Sequence, residues 1–131
     1  MKWESHAKKK KFSIKRLLKS FCYAIKGILT SYKTEQNLII HTFAAIIVLI
    51  LCFYLKLTNI EFCLIIFSIG LVISLELVNT AIEYTVDMAM PSIHPLAKIA
   101  KDVASGAVLI GAFTAFIIGI VILLPKIIVL I

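Results

Sequence analysis

The chain has 131 residues, 61% of them hydrophobic, with a mean hydropathy of +1.04. A water-soluble domain of this size lies nearer about 45–50% apolar, so composition points to a single integral membrane domain with no separate soluble module. The net charge of +7 is unevenly spread: ten of the 14 Lys and Arg lie within residues 2–33, against Glu4 alone, which suits anionic lipid headgroups and argues against a nucleic-acid partner.

Residues 1–11 are polar and basic and predict a flexible tail that includes the lysine block at 8–11. The long positive region and the lack of a small-residue cleavage site argue against a signal peptide. Over residues 12–33, Ile14, Leu17, Leu18, Phe21, Cys22, Ile25, Ile28 and Leu29 recur at helical spacing. Lys15, Arg16, Lys19, Lys26 and Lys33 fill most of the other faces. That pattern predicts an amphipathic surface helix in the headgroup plane.

The first predicted span covers residues 38–55, followed by a short turn at Lys56, Leu57, Thr58 and Asn59. The second covers residues 60–83 and continues a turn or two past the hydrocarbon. Pro91 and Pro95 then interrupt regular helix. The third covers residues 103–124 and stops before Pro125. Its Gly106, Gly111 and Gly119, with Ala104, Ala107, Ala112 and Ala115, offer small faces for close packing. Positive charge places the N-terminus and the second connection in the cytoplasm, and the first turn and C-terminus outside. Cys52 and Cys63 read as small buried hydrophobes, and no cysteine pair suggests zinc.

The second span carries Glu76, Asn79 and Glu83, with Asp87 at its edge. At 100° per residue these fall within about 80° of arc, a polar stripe on an apolar helix. A carboxylate at bilayer depth costs roughly 2.5–3.5 kcal/mol on insertion scales, so it is kept for use. With Glu35 before span one and Lys101 and Asp102 before span three, the acids gather at the cytoplasmic surface. Such oxygens suit magnesium held together with substrate phosphates, and Arg16, Lys98 and Lys101 suit the phosphate charge. By depth, Glu76 fits a base for a lipid hydroxyl and Glu83 a metal ligand.

Structural readings stand beside these. Glu83 and Asp87 suit solvated interface positions, Glu76 and Asn79 suit hydrogen bonds between helices, and Lys101 and Asp102 suit a surface ion pair. His41 reads as a buried hydrogen-bonding residue or a ligand, and His94 as a loop residue. No P-loop pattern is present, so a nucleotide site here has another design. A non-enzymatic membrane assembly protein and an ion-coupled transporter are the readings from other classes, the latter short of room in three spans.

The segment Glu76-Leu-Val-Asn79-Thr-Ala-Ile-Glu83, followed by Asp87, Ala100-Lys101-Asp102 and Gly106-Ala-Val-Leu, resembles the prokaryotic diacylglycerol kinase family. Arg16, Tyr23, Lys26-Gly27 and Glu35 stand at that family's spacing. His94-Pro-Leu-Ala-Lys98 and Leu124-Pro-Lys126 look like its undecaprenol kinase branch. The resemblance implies a three-span lipid kinase with a surface helix, assembled as a homotrimer with sites between protomers in a bacterial plasma membrane. It implies ATP as donor, Mg2+, and undecaprenol as acceptor, with diacylglycerol as the alternative. It makes Glu76 the catalytic base, and Glu35 and Glu83 the magnesium ligands that also contact the nucleotide. Arg16, Tyr23, His94, Lys101 and Asp102 become nucleotide contacts, Asn79 an active-site polar residue and Asp87 a more structural acid. His41 departs from the diacylglycerol kinase branch, which tends to carry an acid there, and this bears on the lipid acceptor.

Overall fold

The computed structural model describes residues 13–90 and 94–130. The predicted tail at 1–11, the predicted helix start at Phe12, and Pro91 lie outside the described residues. Among the described residues four helices follow one another: α1 (Ile14–Thr34), α2 (Gln36–Tyr54), α3 (Asn59–Ala89) and α4 (Pro95–Leu130). The last three are long and apolar enough to cross a membrane.

Each boundary has a local cause. Glu35 adopts an extended backbone (φ −106°, ψ 107°) and is the only non-helical residue between α1 and α2. Past α2, Lys56 turns the chain with φ 49°, a left-handed conformation that few non-glycine residues adopt. A capping box then starts α3. The Thr58 N–H donates to Glu61 Oε2 at 2.8 Å, and the Glu61 N–H donates to Thr58 Oγ1 at 3.4 Å. Pro95 is the first residue of α4, where a missing N–H costs nothing. His94 precedes it, its Nδ1 accepting the Leu96 N–H at 3.2 Å.

At 1.5 Å per residue, α2 spans about 28 Å and matches a hydrocarbon core of about 30 Å. Longer by far, α3 and α4 have 31 and 36 residues and project beyond it. The helix of α4 passes through Pro125, where the sequence pattern suggested a stop, and ends at Leu130. Proline withholds one N–H, so a single carbonyl one turn earlier loses its helical partner; in lipid, abandoning the helix would expose many more.

Packing is led by α3 against α4. Ile65, Ser68, Val72, Glu76 and Asn79 are buried along one stripe of α3. Facing them, α4 buries Ala104, Val108 and Gly111, whose small size lets the axes approach. A Cβ built on Gly111 would lie 2.5 Å from Leu75 Cδ1, so that position is filled by its neighbour. Cys52, Ile65 and Leu123 form the apolar core nearer the first turn. The same end is closed by Lys126 Nζ, 3.1 Å from Glu61 Oε2. At the other end, the Tyr32 hydroxyl lies 2.6 Å from Thr42 Oγ1, and the Tyr84 hydroxyl donates to Thr34 Oγ1 at 3.1 Å.

Cys63 corrects the sequence reading, because it is exposed whereas Cys52 is buried. On a lipid-facing helix an apolar residue needs no protein neighbour, so an apolar run does not by itself mark a core.

Candidate functional site

The buried stripe of α3 changes character along its length, from Ile65, Ser68 and Val72 to Glu76, Asn79 and Thr80. Seven residues make nearly two turns, so Glu76, Asn79 and Glu83 continue the face that packs inward. Glu76 is the most enclosed of them, its side chain only 3% exposed.

His41 of α2 reaches across to it, with Nε2 3.2 Å from Glu76 Oε1. The approach is off the axis that a hydrogen bond requires, and Oε1 accepts no aligned bond. A buried carboxylate oxygen without a donor is costly, so the group is held ready for a partner. Glu35, at the α1–α2 junction, and Glu83 both lie within electrostatic reach of Glu76.

One turn further along α3, Asn79 Nδ2 donates to Glu83 Oε1 at 3.0 Å. Ser105 of α4 donates to Asn79 Oδ1 at 3.4 Å. The carboxamide is therefore fixed at both ends, which leaves Glu83 Oε2 the freer oxygen of that carboxylate. Asp87 pairs with Lys101 of α4. Lys101 is thus bonded to an acid on another helix, and its chain neighbour Asp102 is exposed.

These contacts link His41 to Glu76, Asn79 to Glu83 and Asp87 to Lys101, with Glu35 and Glu83 within electrostatic reach of Glu76. Other residues singled out in the sequence stand apart within one chain. Arg16 and Tyr23 are exposed on α1 and form no side-chain hydrogen bond or ion pair among the described residues. His94 caps α4. His41 and Ser105 complete the network; an ionisable residue inside a span was the available signal for His41. Ser105 carried no such signal.

Beside this polar end, α2, α3 and α4 enclose an apolar cleft of about 510 Å³. Its polar lining residues are His41 and Ser68. Ser68 already donates its hydroxyl to Leu64 O at 2.8 Å, so His41 is the polar group that faces the cleft uncommitted to its own helix.

The oxygen-rich donor set suits a hard cation such as Mg2+. Among the described residues, no three His, Cys, Asp or Glu side chains form a cage that could hold a metal by themselves. Magnesium commonly takes one or two carboxylates and draws its other oxygens from water and phosphate, so Glu35 and Glu83 fit that chemistry.

Such a fold and site define a small helical membrane protein that brings a buried carboxylate, a polar network and an apolar cleft to one place. Residues 22–123 match the profile of the prokaryotic diacylglycerol kinase family. An undecaprenol kinase of Bacillus subtilis (strain 168) is 49% identical over 113 residues, covering 86% of this chain and 92% of that protein. A diacylglycerol kinase of Synechocystis sp. is 44% identical over 110 residues, covering 83% of this chain and 63% of that protein. The diacylglycerol kinase of Escherichia coli (strain K12) is 32% identical over 102 residues, 78% of this chain and 84% of its own length. The chain belongs to the prokaryotic diacylglycerol kinase family and is a lipid kinase.

Proposed function

We propose that this kinase transfers the γ-phosphoryl group of ATP to undecaprenol at the cytoplasmic face of a bacterial plasma membrane. The observation that carries the reading is Glu76, a buried carboxylate with an unpartnered oxygen, 3.2 Å from the Nε2 of His41, whose ring lines an apolar cleft. A hydrocarbon chain lying in the cleft would bring its terminal hydroxyl past His41 to the Glu76 carboxylate.

In this reading Glu76 takes the proton from the lipid hydroxyl as its oxygen attacks the γ-phosphorus. A new P–O bond forms, the bond to the β-bridging oxygen breaks, and ADP leaves. Glu35 and Glu83 would hold Mg2+, which supplies neutralisation of charge on the phosphates. Asn79 orients Glu83, and Asp87 orients Lys101. Arg16, Tyr23, His94, Lys101 and Asp102 contact the nucleotide. Arg16 and Tyr23 are exposed on α1 and make no side-chain bond to the other site residues among the described residues, which a homotrimer with sites shared between protomers would account for.

We assign residues 38–55, 60–83 and 103–124 to the hydrocarbon, with the N-terminus cytoplasmic and the C-terminus outside. In this arrangement α1 lies on the headgroups as an amphipathic surface helix and residues 1–131 form one domain. Family membership removes the non-enzymatic and transporter readings. Diacylglycerol is retained as the second acceptor because the Synechocystis relative bears that name at 44% identity.

The test offers purified protein, labelled ATP and magnesium to undecaprenol and to diacylglycerol in separate reactions. Preferential labelling of the polyprenol is expected. Preference for diacylglycerol would select the second acceptor, and labelling of neither would remove the proposal.

A further inference from the structure

The environment of Glu76 is lopsided. Glu35 and Glu83, the charged groups within its electrostatic reach besides His41, carry the same sign. From α4, the nearby network supplies Ser105, whose hydroxyl is directed to Asn79. Lys101 is occupied by Asp87. Among the described residues, His41 is the group beside Glu76 that can present an N–H to its carboxylate.

His41 is also placed where chemistry would need a guide. Its side chain is 29% exposed, with one ring edge toward Glu76 and the ring forming part of the cleft wall beside Ala44 and Ala45. The Nε2–Oε1 separation of 3.2 Å falls short of a hydrogen bond only in direction, and a modest ring rotation would supply it. Contacts of this kind in ligand-free enzymes often tighten on substrate binding.

We infer that His41 is a positioning residue that orients the Glu76 carboxylate toward an acceptor hydroxyl arriving from the cleft. The inference rests on the proposed role of Glu76 as base. His41 donates to Oε1 and leaves Oε2 to take the proton, so one carboxylate oxygen is anchored while the other works. A long-chain lipid alcohol with one small polar end fits this arrangement, since the cleft wall offers one uncommitted polar group.

The experiment compares His41→Gln with His41→Asn in the full-length protein in lipid bilayers, using undecaprenol, ATP and magnesium. Both variants keep a neutral N–H donor, but only Gln has the length to reach Glu76. We expect His41→Asn to lower kcat by about ten- to a hundredfold, the range typical for loss of an orienting partner, with KM for ATP unchanged. His41→Gln should restore most of the loss. Equal kcat in the two variants, or a change confined to KM for ATP, would overturn the inference. If either variant fails to assemble, the other is compared with the wild-type protein. There, Gln should keep most of kcat and Asn should lose it, and the reverse result counts against His41. Glu76→Gln separates the two levels of the argument. Active wild type, inactive Glu76→Gln and equal His41 variants would sink the inference alone, whereas full activity of Glu76→Gln would sink the proposed base and the inference with it.

Discussion

Asn79 and Glu83 stand one helical turn apart on α3, joined by a 3.0 Å hydrogen bond from the Asn79 amide to Glu83 Oε1. The amide oxygen is held in turn by Ser105 on α4, so the direction of Glu83 depends on the contact between two helices. A carboxylate held in this way loses less freedom when a cation arrives.

Asn79→Leu removes that constraint with little change in volume. The expected result is a rise of about tenfold or more in the magnesium concentration for half-maximal activity. Titration of activity with magnesium at saturating ATP checks it, and an unchanged midpoint would separate Asn79 from Glu83 function.

Glu76→Gln keeps the shape of the side chain and removes its capacity to accept a proton at neutral pH. Turnover should fall by at least about 10²–10⁴-fold, the usual contribution of a general base. The homotrimer proposed above should persist in size-exclusion chromatography. Loss of the oligomer would instead show that Glu76 joins helices.

Gly119 lines the apolar cleft, and a Cβ added there meets nothing within 4 Å. Gly119→Phe therefore fills the cleft without forcing the backbone. Activity on undecaprenol should drop, while activity on a short-chain alcohol such as a C10 prenol should change much less. Equal losses on both acceptors would mean that the cleft does not hold the lipid chain.

Thr58 anchors the capping box at the start of α3. Thr58→Ala should cost about 1 kcal/mol of stability, read as a lower midpoint of thermal unfolding in detergent. Because the box lies at the opposite end of α3 from Glu83, kcat at low temperature should stay close to that of the wild type.

Much of the architecture could be read from periodicity. The arc through Glu76, Asn79 and Glu83 followed from residue spacing, and the start of α4 at Pro95 followed from proline chemistry. Pairings between helices were less accessible. Lys101 and Asp102 are adjacent in sequence, yet neighbours on a helix point about 100° apart, so Lys101 meets Asp87 on another helix instead. Glu61 and Lys126 are far apart in sequence and meet only because α3 and α4 run against each other. Spacing could not place His41 against Glu76 either. It marked both as ionisable residues in spans, but their meeting depends on how α2 leans on α3. The cleft is likewise a property of three helices together, and no single segment encodes it.

Glu35 is the lone extended residue between two helices, so its carboxylate turns with the angle at which α1 leaves α2. With α1 on the headgroups, as proposed above, a tilt of that helix would be transmitted to this acid through one pair of backbone torsions. Curvature, headgroup charge and lateral pressure would then act mechanically on the distance from Glu35 to Glu83, coupling the state of the surrounding lipid to the geometry of the acids.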